Sequence, residues 1–199
     1  MVHLNENILH LTWKGPLTIR DKDIYCEELP GLYLFTFPID NYYTVHYIGK
    51  TESSLSNRLV GTGSTTGHLR DYISGRYYIY DSNDLLKAKN DAKVLYKSCE
   101  FYEYFSNIEQ SVMNVINTIS KISFFYCTFD KFVEYIEYAE SLLIYHAFEN
   151  RKLFPTLDNS ERTMNRIFGF DIKNVSIINE FENNIIKGLI EPIHFPREI

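Results

Sequence analysis

The chain has 199 residues, 45% hydrophobic and 16% aromatic, so it can bury one substantial core and is most simply a single domain with short extensions. No apolar run approaches the length of a membrane span and residues 1–6 do not begin a secretory signal, so we expect a soluble cytoplasmic protein. Three widely spaced cysteines without a Cys-x-x-Cys pair argue against zinc or a disulfide framework, and a net charge of −6 argues against strong general affinity for DNA.

Two strand-like runs follow an N-terminal extension that we assign to residues 1–28. Residues 31–37 form an aromatic and β-branched run between two prolines, and residues 42–48 form a second run after the turn residues 38–41. Together they predict a β-hairpin. Because side chains alternate faces along a strand, Tyr33 and Tyr47 can lie side by side near one end of it.

A short helix with a basic residue is predicted directly after the hairpin. Gly49 allows a close backbone approach to a ligand, and Ser53 or Ser54 caps the helix that carries Arg58. With Lys50, this arrangement predicts two phenols, an ammonium and a guanidinium around one spot. Taken singly, each tyrosine is as readily a packing residue, since the chain contains 16 tyrosines.

The segment around this helix is locally basic although the chain is acidic. Residues 41–80 contain two acidic residues and the basic residues Lys50, Arg58, Arg70 and Arg76. Because screening limits electrostatic interactions to about 8 Å at physiological salt, such a patch can still hold a phosphate backbone.

A glycine-rich loop at residues 61–67 separates this helix from the next. The following helix is predicted to begin near His68, with Thr65 or Thr66 as its cap. A single histidine at such a position is either an incidental surface residue or a group that faces the loop.

The second half of the chain predicts a third strand and then an amphipathic helix. The strand covers residues 121–128, and Asp130 is predicted to cap the helix. Glu140 lies beside the apolar stripe of this helix, whereas Glu134 and Glu137 point more toward solvent. The stripe itself recurs at spacings of three and four, at Phe132, Ile136, Ala139, Leu143 and Ala147.

Further segments are predicted around these elements. Residues 92–98 suggest an extra strand, residues 106–120 a helix, and residues 161–199 a helical C-terminal extension packed on the same domain. Arg162 and Arg166, four apart on a predicted helix, are either phosphate contacts or part of a solvated face.

These motifs together resemble the signature of the GIY-YIG nucleases, a family that cuts DNA backbones. Residues 31–33 read Gly-Leu-Tyr, with leucine in place of the family's isoleucine, and residues 47–49 read Tyr-Ile-Gly. Residues 68–77 are similar to the histidine and Tyr-x-Ser-Gly-x-Tyr segment of a subset of the family, and residues 139–144 to its metal-binding glutamate helix. The resemblance covers residues 29–160.

The resemblance implies a particular fold for this nuclease domain. The expected class is α/β, more closely α+β: a small central, mostly antiparallel three-stranded sheet flanked by helices. Helical insertions and extensions would enlarge this core.

The resemblance also implies catalytic roles. Glu140 would hold one divalent cation, Mg²⁺ with Mn²⁺ as a substitute, and Arg58 would neutralise charge on the phosphate. Tyr33 would orient or deprotonate the attacking water, and His68 would accept the proton onward. Tyr47 would hydrogen-bond the phosphate or the water, and the two tyrosines can exchange roles.

Other residues of the motifs are expected to bind DNA or to shape the backbone. Gly31 and Gly49 are structural. Residues 154–159 resemble the Pro-x-x-Asn element of the family, with Asn165 as an alternative to the asparagine within them. The expected phosphate contacts are Lys50, Arg70, Arg76 and Asn159.

The implied function is that of a metal-dependent endonuclease that hydrolyses DNA phosphodiester bonds. The short chain favours a stand-alone, restriction-like or phage-defence enzyme that acts as a homodimer when it cuts both strands. A repair or recombination incision nuclease is an alternative. A nuclease-like domain that binds nucleic acid or protein without cutting is the competing class, and a structural α/β domain with an accidental match is the third.

Overall fold

The computed structural model describes residues 1–61, 67, 102–117, 119–160, 162, 165–171, 174–182 and 186–195. For residues 77–78, 93–94, 98–101 and 118 it describes the backbone alone. The chain divides into two compact units. The first unit comprises Met1–Leu17, Glu28–Leu55 and Ser123–Ile199, and the second comprises Thr18–Glu27 and Ser56–Ile122.

The first unit is an α+β structure built on a six-stranded, mostly antiparallel sheet. The strands lie in the order β1-β2-β7-β3-β4, and β8 pairs in parallel with β2. The three strands predicted from the sequence are β3, β4 and β7, but they belong to a sheet of six strands, so the predicted small three-stranded sheet is not confirmed. Its strands are β1 (Val2–Asn5), β2 (Ile8–Leu17), β3 (Gly31–Ile39), β4 (Tyr42–Thr51), β7 (Ser123–Thr128) and β8 (Ser176–Phe181).

The described part of the second unit is mainly helical. Its helices are α1 (Asp23–Cys26), α2 (Leu55–Val60, whose first residue belongs to the first unit), α3 (Ser98–Ser106) and α4 (Ile108–Lys121). Two short strands, β5 (Tyr77–Tyr78) and β6 (Lys93–Val94), pair in antiparallel orientation. The helix predicted over residues 106–120 is confirmed by α4. Of the strand predicted over 92–98, the structure describes β6 at Lys93–Val94 and places Ser98 in α3. Among the described residues, no helix is long and apolar enough to cross a bilayer.

The β3–β4 hairpin is the predicted one, with a longer first strand. Tyr33 lies opposite Gly49, and β3 continues through Pro38 to Ile39 instead of stopping at the proline. Strand β7 pairs with β3 only as far as Thr36. Beyond Thr36, β3 pairs with β4 alone among the described strands. Pro38, which has no N–H to donate, is tolerated there because one side of the strand needs no partner.

Both terminal segments differ from their predicted form. Residues 1–28, predicted as an extension, supply β1 and β2 of the sheet. Residues 161–199 were predicted to be a helical extension, and the part of them that the structure describes is mixed. Arg162 is helical, Asn165–Gly169 form a short 3-10 helix, and Ser176–Phe181 form β8. The side chains of β8 alternate between buried and more exposed positions, which is the period of a strand that pairs along an available edge.

Helix α5 (Ile136–Glu149) packs on β3 and β4 and completes the main core of the first unit. It follows a 3-10 turn at Val133–Tyr135, which the chain enters through Phe132 with a positive φ of 59°. No side chain caps either element, so Asp130 is not the predicted cap. Burial extends well beyond the predicted stripe and includes Glu140.

Candidate active site

The two tyrosines of the motif lie together on one face of the sheet. The ring centroids of Tyr33 on β3 and Tyr47 on β4 are 6.2 Å apart, as the sequence predicted. The ring of Phe35 lies 5.5 Å from that of Tyr33 and 5.8 Å from that of Tyr47. Tyr33 is fully buried, whereas Tyr47 is half-buried. The pair is therefore part of an aromatic layer, and Tyr47 is its more accessible member.

Gly31 and Gly49 have structural roles, as expected, because neighbouring strands of the sheet leave no space for a side chain at either position. A Cβ atom at Gly49 would lie 2.4 Å from Cζ of Tyr33 and 2.5 Å from its hydroxyl oxygen. The space that the sequence assigned to a ligand is thus filled by the Tyr33 phenol. At Gly31, a Cβ atom would lie 2.3 Å from the carbonyl oxygen of Cys127 on β7.

Lys50 lies on the opposite face of the hairpin from the tyrosines. It follows Gly49 by one residue on β4, and alternation along the strand directs it toward α5. Its ammonium donates to Glu52 and lies 3.7 Å from Oε1 of Glu137. The hydrogen bond from Lys50 lowers the pKa of the Glu52 carboxyl below its ordinary value. The phenols and the ammonium therefore do not share one spot. Tyr47 and Lys50 occupy odd and even positions of β4, and Tyr33 lies opposite Gly49 on the face of Tyr47.

Glu140 is a buried carboxylate in α5. Its side chain is 8% exposed, and its Oε2 lies 3.9 Å from Nη1 of Arg166. The same Nη1 lies 4.0 Å from Oε1 of Glu137, which occupies the preceding turn of the helix. Lys50, Glu137, Arg166 and Glu140 thus form a series of alternating charges, which we call the charge cluster.

The contacts of two members of the charge cluster, Glu137 and Arg166, were not predicted from the sequence. Glu137 was predicted to point more toward solvent than Glu140, and its side chain is 46% exposed against 8% for Glu140. It nevertheless contacts both Lys50 and Arg166. Its spacing of three residues from Glu140 is the signal that could have identified it. Arg166 was left between a phosphate contact and a solvated face, and the structure pairs it with the two glutamates.

Asn159 holds strand β4 instead of pointing to a ligand. Its Oδ1 accepts from the N–H of Ile48 at 2.9 Å, and its Nδ2 donates to the carbonyl of Ile48 at 2.8 Å. Because both ends of the buried amide are used by the backbone beside Tyr47 and Gly49, we correct its predicted phosphate contact to a positioning role. The alternative, Asn165, is exposed.

The remaining predicted residues stay predictions. Arg58 lies in the last turn of α2, within the second unit. His68, Arg70 and Arg76 lie outside the described residues.

The carboxylates of α5 suit a hard divalent cation. Mg²⁺ prefers oxygen ligands and is commonly held by one or two carboxylates together with several waters. Glu140, with Glu137 one turn earlier, offers oxygen atoms of this kind. Within the described ranges, no group of three or more His, Cys, Asp or Glu side chains is arranged around a metal position. The donors present fit a largely hydrated ion.

The tyrosines and the charge cluster lie at the same end of the hairpin, since Gly49 and Lys50 are adjacent on β4. The phenols and the charge cluster nevertheless lie on opposite faces of the sheet, so the groups that meet are the carboxylates and cations of the charge cluster. Such groups are suited to a cation or a phosphate. Comparisons with family models, curated proteins and solved structures found no match to this chain.

Proposed function

We propose that this chain is a metal-dependent endonuclease of the GIY-YIG type that hydrolyses DNA phosphodiester bonds. The observation that carries the proposal is Glu140, a carboxylate only 8% exposed on the helix that packs against the motif hairpin. A carboxylate is rarely retained in a protein interior unless it is paired or binds a cation. The ordered tyrosine, glycine and glutamate motifs support the same reading.

The residues of the first unit have distinct tasks in this proposal. Bound at Glu140, Mg²⁺ would supply positive charge to the phosphate oxygens. Tyr47, the more accessible tyrosine, would orient the attacking water or donate to the phosphate. The substrate would then have to pass around the end of β4, because Lys50 lies on the other face of the strand. Tyr33 packs over Gly49 and holds Tyr47 in place. Lys50 contributes positive charge toward the DNA backbone.

The partners and the biological role in this proposal rest on the resemblance alone. DNA is the substrate, Mg²⁺ or Mn²⁺ is the cofactor, and two copies act together when both strands are cut. A stand-alone restriction-like or defence enzyme fits these features, and this choice among nuclease roles is an analogy.

A second candidate function is a nuclease-like domain that binds nucleic acid without cutting it. The complete burial of Tyr33 favours it, because a phenol in the core serves packing as readily as chemistry. The two candidates differ in one respect: only the nuclease requires the Glu140 carboxylate for turnover.

The test compares the full chain with Glu140→Gln on supercoiled plasmid and on labelled oligonucleotides, with Mg²⁺ or with EDTA. Cleavage by the unmodified protein is expected with Mg²⁺ only. The variant keeps the size of the side chain and loses its charge, so we expect a loss of roughly a hundredfold or more in cleavage rate. Glu149→Gln, an exposed position on the same helix, is the matched control and should cut normally.

Two results would refute the nuclease proposal. One is the absence of Mg²⁺-dependent cutting on every substrate, and the other is equal cutting by Glu140→Gln. DNA binding in a mobility-shift assay without any cutting would then favour the second candidate.

A further inference from the structure

Arg166 is placed beside Glu140 by a short but well-anchored element. The 3-10 helix Asn165–Gly169 buries Ile167 completely in the core and packs against α5. Arg166, directly before Ile167, is 48% exposed and reaches both Glu137 and Glu140 through the same nitrogen. The backbone is therefore fixed, while the guanidinium lies between the carboxylates and solvent.

Arg166 forms ion pairs with Glu137 and Glu140, but its nitrogen lies too far from their oxygens for a bidentate hydrogen bond. Separations of 3.9 and 4.0 Å exceed the 2.7–2.9 Å or so of a charge-assisted hydrogen bond. Glu140 is much more buried than its partner, and a buried carboxylate needs a compensating charge. An arginine at this distance can compensate the charge and still be displaced at modest cost.

The other cation of the cluster is engaged elsewhere. Lys50 donates to Glu52 and lies 3.7 Å from Glu137, and no described ion pair joins it to Glu140. Arg166, in contrast, forms an ion pair with Glu140. A divalent ion bound at Glu140 would therefore meet this guanidinium as a like charge.

We propose that Arg166 is the resident counter-ion of Glu140 in the cation-free protein and that a divalent cation must displace it to bind. This inference rests on the proposed function, since it assumes that Glu140 binds the cation. Arg166 is then a positioning residue. It holds the carboxylate in place before the ion arrives, and it opposes binding of the ion through competition and repulsion.

The proposal is tested by Mn²⁺ binding to the full chain, measured by electron paramagnetic resonance of the free ion. Arg166→Gln is expected to bind Mn²⁺ about fivefold more tightly, on the scale of one partly exposed ion pair. Arg166→Lys keeps the charge and should bind close to the unmodified protein. Arg162→Gln removes the same charge from an exposed position four residues earlier and is the matched control.

A second measurement separates competition from a structural defect. In EDTA, Arg166→Gln should melt at a lower temperature because Glu140 loses its counter-ion. Saturating Mn²⁺ should then raise its melting temperature more than that of the unmodified protein. A mere packing defect would lower affinity for the ion instead of raising it.

The possible failures are distinguishable. If Mn²⁺ binding is abolished by Glu140→Gln but is unchanged or weakened by Arg166→Gln, the counter-ion proposal is overturned and the cation site stands. An Arg162→Gln affinity gain equal to that of Arg166→Gln also overturns it, since the effect would be one of net charge. If Glu140→Gln leaves Mn²⁺ binding unaltered, the proposed function and this inference both fail.

Discussion

At the scale of single residues, the hairpin depends on the contact between Gly49 and Tyr33. The phenol occupies the volume that any larger residue would need at position 49. This contact fixes where the Tyr33 ring lies and, through the contact between the two tilted rings, where the Tyr47 ring lies. The absence of a side chain at Gly49 thereby determines the positions of the Tyr33 and Tyr47 rings.

Gly49→Ala is expected to destabilise the protein by about 1–3 kcal/mol, because the added methyl group would overlap a buried ring. The measurement is chemical denaturation followed by circular dichroism. Gly169→Ala is the control, since no atom lies within 4 Å of a Cβ built there, and its effect should stay within about 0.5 kcal/mol. Equal stability of the two variants would contradict the packing assigned to Tyr33.

At the scale of elements, residues 156–159 are bonded along the outer edge of β4. The carbonyl of Thr156 accepts from Nδ1 of His46 at 2.8 Å, and the N–H of Asp158 donates to the carbonyl of His46 at 2.7 Å. Asn159 continues this series with its two bonds to Ile48. The segment covers the outer edge of β4 at His46 and Ile48. It thereby fixes the part of β4 from which the side chains of Tyr47 and Lys50 project.

Asn159→Ala is expected to cost about 1–3 kcal/mol, because it leaves the buried N–H and carbonyl of Ile48 without their side-chain partner. Urea denaturation measures the loss, and hydrogen exchange of the Ile48 amide should become faster. Asn165→Ala, at an exposed asparagine, should change little. Slow exchange retained in Asn159→Ala would show that this amide does not hold the strand.

At the scale of the whole first unit, the C-terminal strand is part of the sheet. Strand β8 pairs with β2 over six residues in parallel register, from Ile8 opposite Ser176 to Trp13 opposite Phe181. Nε1 of Trp13 donates to Oδ1 of the buried Asn179 at 2.9 Å. Because the chain contains one tryptophan, its fluorescence reports directly on this pairing.

Asn179→Ala is expected to lower the free energy of unfolding by about 1–3 kcal/mol, since the buried indole N–H loses its acceptor. The tryptophan fluorescence transition and the far-ultraviolet dichroism transition should shift to lower urea together. Asn174→Ala, at an exposed position before the strand, is the control. A fluorescence transition that shifts alone would mean that β8 separates from the sheet independently.

The sequence by itself determined the elements whose signals are local. The two runs around residues 38–41 carry strand composition and turn residues, so the β3–β4 hairpin was predictable. The helix with Glu140 was predictable because apolar residues recur at helical spacing, and a carboxylate beside them is buried when the helix packs on a sheet.

The tertiary structure alone decided the relations between distant segments. Whether residues 176–181 form a helix or a strand depends on the edge of β2, which lies 168 residues earlier in the chain, and no local pattern encodes that pairing. The ion pair between Arg166 and Glu140 likewise depends on how the chain returns after α5. The separation of Lys50 from the tyrosines follows from strand register, because a shift of one residue moves a side chain to the other face.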